Sequence, residues 1–312
     1  MTEPGDIVAE LEAELGRVGG PPEPLHGGIT NRNFRVRFGT RECVLRLPGA
    51  STGLLGIDRE AERMATAEAA HLGIAPALVA AGDGYLVTEF IAGEPIDSDQ
   101  LRAAPGSAAR ALRAFHDSRL RLPTRFWVPE LLADYERIVT EAGGSLPESY
   151  GPARELAARI ADVLPLTDPV PCHNDLLPAN LLARRSGAGG IDLILVDWEY
   201  AGTGHRMFDL GNLAVNNDFD AAAEDRLLEA YYSEAPSPGR RAALALMRIM
   251  SDAREAAWGV VQGVISELDF DFAGYARRHF VRLERAASGP GLDKWLRVAS
   301  AEPPVAGREA TT

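Results

Sequence analysis

The sequence has little cysteine, no long apolar run and no excess of positive charge. Only two of its 312 residues are cysteines, Cys43 and Cys172. Two widely separated thiols fit no metal-ligand spacing and suggest no disulfide framework. Apolar stretches such as Ile191 to Val196 are far too short to span a bilayer, which takes about 20 residues. Acidic residues outnumber basic ones, 45 to 32, for a formal charge of −13. Such a field repels phosphate backbones and anionic lipid, so neither nucleic acid nor a membrane surface is the expected partner. It suits a cationic substrate, and it suits simple solubility equally well. The N-terminus, MTEPGDIVAELEAELG, is acidic and helical in pattern, unlike a signal peptide. A cytoplasmic enzyme is the default expectation.

What is present is ordinary globular material, with 46% hydrophobic and 25% charged residues in a chain long enough for two lobes. Residues 6–18 have helical periodicity and end at Gly19-Gly20. From Leu25 to Leu47 the apolar residues alternate, as in a hairpin of half-buried strands. Residues 58–72 return to helical spacing, and Ala77 to Ala81 with Tyr85 to Ile91 make a second strand pair. Beyond Gly93 the pattern predicts helices over 106–117, 129–142, 152–163, 221–233 and 239–268. It is interrupted by a hairpin from Asn180 to Val196 that turns at Ser186-Gly187-Ala188-Gly189-Gly190. The expected division is a sheet-rich lobe over 1–90, a helical lobe over 91–287 reached through a connector near Glu89 to Glu94, and a flexible tail over 288–312 that Trp295-Leu296 could pin in part.

Chemistry concentrates in two segments. Cys172-His173-Asn174-Asp175-Leu176-Leu177-Pro178-Ala179-Asn180 reads His-x-Asp, four residues, then Asn, and Leu195-Val196-Asp197 is an apolar strand ending on an aspartate. Paired antiparallel strands bring Asn180 and Asp197 side by side, so that an amide oxygen and a carboxylate share a magnesium ion. Asp175, just before, accepts or orients the proton of an attacking hydroxyl. Singly, each of these residues reads as a turn or a cap. As a set in this strand and turn context they read as phosphoryl transfer.

Gly27-Gly28-Ile29-Thr30-Asn31-Arg32-Asn33-Phe34 lies where the first strand pair turns, and its backbone and side-chain donors suit phosphate oxygens. Alone it is an ordinary hairpin turn. Arg46 on the next strand and Glu60 on the following helix are either a phosphate-facing cation with its carboxylate brace or two solvated surface residues.

Together these residues resemble the choline/ethanolamine kinase branch of the aminoglycoside-phosphotransferase-like kinases. The resemblance is carried by Gly27 to Asn33, Val44 to Gly49, Ile57 to Glu60, His173 to Asn180, Asp197 to Gly202, Phe208 to Asn212, and Trp258 to Gln262 with Phe270 and Tyr275. It runs from about Gly27 to His279. It implies an α+β, bilobal protein-kinase-like fold, with a small antiparallel-sheet lobe and a larger, mainly helical one. It implies ATP in the cleft, held by Gly28, Thr30, Asn31, Asn33, Arg46 and Glu60, with Thr88, Glu89, Phe90 and Ile91 against the adenine. Asp175 is then the catalytic base, Asn180 and Asp197 the Mg2+ ligands, and Asp209 a brace behind the catalytic loop. Tyr200, Trp258, Phe270 and Tyr275 match an aromatic cation pocket, the natural host for a quaternary ammonium. Trp258, Val261, Ile265 and Leu268 are equally spaced as one buried helix stripe.

Where some choline kinases carry a second tryptophan, this chain has Glu255. Its carboxylate either meets a primary ammonium or pairs with a nearby arginine. The implied acceptor is the hydroxyl of a small amino alcohol, choline or ethanolamine. Aminoglycoside and thiamine kinases on the same scaffold remain alternatives, given Glu255, Glu267, Asp269 and Asp271, as does an inactive nucleotide-binding protein. A protein kinase fits poorly, because Asp197 is followed by Trp-Glu rather than Phe-Gly.

Overall fold

The computed structural model describes residues 3–25, 31–49, 52–185 and 191–302. Gly28 and Thr30, the turn at 186–190 and the end of the chain from 303 lie outside the described residues.

The amphipathic N-terminal segment forms α1 (Pro4–Leu15), which stops at Gly16 with φ at +95°. Its Ile7, Val8 and Leu11 pack on a five-stranded antiparallel sheet of β1 (Glu23–Leu25), β2 (Asn31–Phe38), β3 (Arg41–Pro48), β4 (Leu78–Gly82) and β5 (Tyr85–Glu89). The spatial order is β1-β2-β3-β5-β4. The alternation read in the sequence places Val36 and Phe38 of β2 and Cys43, Leu45 and Leu47 of β3 in this small core. Cys43 therefore packs as a small apolar side chain.

Between β3 and β4 runs α2 (Arg59–His71), capped by Asp58, whose carboxylate accepts from the N–H groups of Glu60 and Ala61 at 2.9 Å each. Its Ala61, Ala65 and Ala69 join a second, larger cluster built mainly by later residues. So α2 leans on the larger core although it precedes the connector.

After the connector come β6 (Glu94–Pro95), α3 (Ser98–Ala103), α4 (Gly106–His116), α5 (Val128–Glu141) and α6 (Tyr150–Val163). Then follow β7 (Val170–Cys172), β8 (Leu181–Arg185), β9 (Ile191–Leu195) and β10 (Gly202–Gly204), and the helices α7 (Arg206–Asn216), α8 (Ala221–Tyr232), α9 (Pro238–Ile265) and α10 (Phe272–Ala287). The axis of the larger part is α9, 28 residues or about 42 Å long, buried on nearly every side. Two close approaches fix its neighbours. A Cβ on Gly211 of α7 would meet the Met247 backbone at 2.7 Å, and one on Gly259 would meet Ala276 of α10 at 3.0 Å. No helix of the described residues is long and apolar enough to cross a membrane.

Two expectations are corrected. The long helix ends at Ile265, and Leu268, 51% exposed, is not part of the stripe with Trp258 and Val261. The stretch expected to be a loose tail contains α11 (Leu292–Ala301), packed on α9. Leu292, Trp295, Leu296 and Ala299 repeat at i, i+3, i+4, i+7 and face the core, which is enough to dock ten residues.

Candidate active site

Strand β7 feeds the loop His173–Leu177, and α7 holds that loop from behind. Asp209 accepts the backbone N–H groups of His173 and Asn174 at 2.8 Å each and lies 2.9 Å from Nε2 of His116. Asn212 accepts the N–H of Leu176 at 2.6 Å. Asp209 thus sits where a brace for the loop was expected, and it fixes Asn174 in a left-handed conformation, φ 67°. His173 is fully buried, and burial lowers its pKa. The neutral ring accepts from the Asp175 N–H at Nδ1, 3.2 Å, and donates from Nε2 to the Val196 carbonyl, 3.0 Å. It positions the loop.

Asp175 is 7% exposed. Its Oδ2 accepts from Nδ2 of Asn180 at 3.0 Å, and its Oδ1 faces Nη1 of Arg254 at 3.3 Å. Burial raises its pKa; Arg254 opposes that, and Glu255, Asp197 and Glu199 add to it. The hairpin pairs Leu181 with Leu195, and the Val196 N–H donates to the Asn180 carbonyl at 3.0 Å. Asn180 and Asp197 therefore stand side by side at its open end. Asn180 spends its amide nitrogen on Asp175, leaving the side-chain oxygen as a ligand atom. Asp197, in a left-handed conformation with φ 63°, supplies carboxylate oxygens. Two hard oxygen donors at a solvent-accessible cleft fit magnesium, which retains several of its waters.

Arg46 reaches into the same cleft from β3. Its Nη1 donates to Asp197 at 2.5 Å, and its Nη2 is paired with Glu62. This corrects the brace: Glu62 holds Arg46, and Glu60 does not. Because α2 starts at Arg59, a step of about 100° per residue turns Glu60 outward and Glu62 toward the strand. The side chain of Glu62 is 3% exposed and also accepts from Arg59 at 2.7 Å, whereas Glu60, 56% exposed, pairs with Arg63. Asn31 donates to the buried Glu199 at 2.9 Å, so its amide nitrogen serves the site's framework.

A cavity of about 500 Å³ opens here, lined by Asn33, Val44, Arg46, Glu89, Ile91, Leu182, Asn180 and Asp197 among others. It brings Glu89 to Ile91 and the Asn180–Asp197 pair to one space of small-ligand size.

On the other side of Asp175 lie the acceptor candidates. Nε1 of Trp258 donates to Oη of Tyr200 at 2.7 Å, and the Trp258 and Tyr275 rings meet at 5.4 Å. Phe270 is 38% exposed and reaches this group only at its edge, 6.2 Å from the Tyr275 ring. Phe272, which sequence reasoning missed, is the buried partner of Trp258 at 5.8 Å. The larger miss is Arg254. It is 1% exposed, with its guanidinium carbon 4.2 Å from the centre of the Tyr200 ring and 5.9 Å from that of Phe126.

Glu255 resolves the choice left open for it. Its Oε1 accepts from Arg254 at 2.9 Å and its Oε2 from the Tyr275 hydroxyl at 2.7 Å. Burial pushes its pKa up, but Arg254, His279 and Tyr275 outweigh that and hold it low. The carboxylate is an arginine partner, not a free ligand for an amine.

A cleft between a small antiparallel sheet and a helical body, with the Asp175 loop and the Asn180–Asp197 hairpin at its mouth, defines a kinase-like phosphotransferase scaffold. The model of the phosphotransferase enzyme family matches residues 22–246, and the chain belongs to that family, in its choline/ethanolamine kinase branch. Ethanolamine kinase 2 of Rattus norvegicus is 30% identical over 280 residues, covering 80% of this chain and 71% of its own. A choline/ethanolamine kinase family protein of Mesorhizobium loti superposes with a TM-score of 0.76 at 28% identity, covering 95% and 99% of the two chains. A LicA structure solved in complex with AMP has a TM-score of 0.73 at 25% identity, covering 93% and 98%. The chain spans 62% and 52% of the length of two other curated relatives that it matches.

Proposed function

We propose that this protein is an ATP-dependent kinase that phosphorylates the hydroxyl of a small amino alcohol, of the choline or ethanolamine type. The observation that carries the reading is the placement of Asp175: a carboxylate fixed by Asn180 on one oxygen and exposed just enough to meet a hydroxyl, beside a nucleotide-sized cleft. In the reaction the acceptor oxygen bonds to the γ-phosphorus as the bond to the β,γ-bridging oxygen breaks. ADP leaves with that electron pair, and the hydroxyl proton passes to Asp175. Arg46, held by Glu62, brings positive charge to the phosphates. Asn180 and Asp197 would hold Mg2+, which neutralises charge on the phosphate oxygens. Tyr200, Trp258 and Tyr275 supply the aromatic side of the acceptor pocket, and the relatives named for choline and ethanolamine support that class.

The experiment is release of ADP with Mg2+ and a panel of choline, ethanolamine, thiamine and aminoglycosides. Transfer to at least one alcohol is expected. Asp175→Asn should lower kcat by about 10²- to 10⁴-fold, the usual worth of a general base, with nucleotide binding unchanged by calorimetry. Nucleotide binding by the wild type without transfer to any alcohol favours an inactive binding protein instead.

A further inference from the structure

Adjacent residues on a helix point about 100° apart and do not ordinarily meet. Arg254 and Glu255 of α9 do. Both are fully buried, and Nη1 of the arginine donates to Oε1 of the glutamate at 2.9 Å. The same Nη1 faces Oδ1 of Asp175 at 3.3 Å. One nitrogen thus serves two buried carboxylates, and the shorter contact belongs to Glu255.

Glu255 is also the better anchored of the two. Its Oε2 accepts from the hydroxyl of Tyr275 on α10 at 2.7 Å, and Nδ2 of Asn212 on α7 stands 3.5 Å from its Oε1. That amide nitrogen is fixed in turn by donating to Oγ of Ser251 at 2.9 Å. The Asp175 side chain, by contrast, is held on its other oxygen by Asn180 at 3.0 Å. A guanidinium drawn by two carboxylates closes on whichever it is free to reach, and a charge-assisted bond closes to about 2.7–2.9 Å. Arg254 has donors in reserve: its Nε and Nη2 are buried and have no hydrogen-bond partner among the described residues. Released from Glu255, it would fork onto both oxygens of Asp175 and displace the Asn180 bond. Asp175 is only 7% exposed, so a fork there would cover the edge that meets a hydroxyl.

We infer that Glu255 is a positioning residue of the phosphoryl transfer: it holds the Arg254 guanidinium back from Asp175, so that the arginine steers the carboxylate without covering it. This rests on the kinase reading above and gives a role in that reaction to a side chain that touches no substrate. Glu255 acts only through Arg254, and the transfer itself is unchanged. The Tyr275 hydroxyl makes one wall of the acceptor pocket part of the same restraint.

The test is whether removing Arg254 repairs the loss of Glu255. Rates are measured with Mg2+, ATP and the alcohol that the wild type uses best. They are expressed per nucleotide-binding site counted by calorimetry, so that unfolded protein does not mimic a slow enzyme. Glu255→Gln keeps the size and removes the charge that restrains Arg254. It should lower kcat by about 10- to 100-fold, the worth of a misplacement of about 1 Å at a reacting group, with KM for ATP unchanged. Arg254→Met removes the steering contact alone and should cost less. In the double variant kcat should rise from the Glu255→Gln value to that of Arg254→Met. Glu255→Asp keeps the charge one carbon further back and should retain part of the rate. A purely structural pair would lower the urea midpoint and leave kcat per site where it was.

An unchanged kcat in Glu255→Gln, or a double variant no faster than Glu255→Gln, overturns the inference and leaves the kinase reading intact. Should Glu255→Gln fail to fold, Glu255→Asp with and without Arg254→Met carries the same comparison: a lowered kcat that Arg254→Met raises supports the inference, and no loss or no recovery overturns it. A wild type that transfers phosphate to no alcohol overturns the kinase reading and this inference with it.

Discussion

Replacing Glu62 with glutamine separates the two carboxylates at the start of α2. The Glu62 side chain is 3% exposed and serves two arginines, Arg46 (10% exposed) and Arg59 at 2.7 Å. Removing one partner of a buried ion pair costs about 3–5 kcal/mol when nothing replaces it, because the other charge remains buried. Glutamine keeps the shape and one oxygen acceptor, and Arg46 keeps Asp197 at 2.5 Å, so the loss should be smaller, about 2–3 kcal/mol. Urea unfolding reads this as a lower midpoint at an unchanged m-value. Arg46 is then tied to Asp197 alone and drifts from its position, and a misplacement of about 1 Å near the phosphates lowers kcat/KM for ATP by about 100-fold. The companion is Glu60→Gln. The contact of Glu60 with Arg63 is fully solvated and screened, so neither the midpoint nor the rate should move. A larger loss in Glu60→Gln than in Glu62→Gln would refute the phase assigned to α2 and return the brace to Glu60.

Other outcomes follow from single contacts. His205 caps α7 by accepting the Met207 N–H at 3.1 Å, and burial, then Arg206 and His116, lower its pKa to about 4. With the folded-state value below the unfolded one, near 6.5, the unfolded chain binds the extra proton between pH 6.5 and about 4. Stability therefore falls as pH drops through that window, by about 3 kcal/mol in all. His205→Asn keeps a capping acceptor without titrating and should flatten the slope in urea titrations between those pH values. Gly211→Ala drives a methyl group against the Met247 backbone and should cost about 1–3 kcal/mol, read from the same unfolding curves.

Much of the chemistry was legible because it depends on pattern alone. The hairpin between Asn180 and Asp197 follows from two strand-like runs around a glycine-rich turn, and antiparallel pairing then makes its ends neighbours whatever else the chain does. Glu62 depends instead on phase. The helix signal over 58–72 gives both Glu60 and Glu62, and only the cap at Asp58 decides which of them faces the strand. A shift of one residue turns the helix by about 100°, within the ordinary error of reading a helix start. Of α11 only Trp295-Leu296 stood out as able to pin the tail: ten residues with four core-facing positions are too few to separate from background until a partner surface is known. Arg254 did leave a signal. An Arg-Glu pair followed by Ala256, Ala257, Trp258, Gly259, Val260 and Val261 and preceded by Ile249 and Met250 reads as part of a largely buried helix, and buried charges must find partners within the fold. Reading Glu255 without Arg254 made half of that pair look like a substrate ligand.

Placing the two together also changes what the acidic balance of the chain means. Among the described residues of the site, Asp175, Asp197, Glu199, Glu255 and Glu62 face Arg46, Arg59 and Arg254. Two of these carboxylates are held by an arginine from another element, Asp197 by Arg46 and Asp175 by Arg254. The formal excess is two negative charges, one on each side: Glu62, Asp197 and Glu199 against Arg46 and Arg59 in the cleft, and Asp175 and Glu255 against Arg254 behind it. A divalent cation held by Asn180 and Asp197 would complement the cleft's share of that excess. Behind the cleft Arg254 sits between Asp175 and Glu255 and leaves one negative charge over, which a cationic group complements.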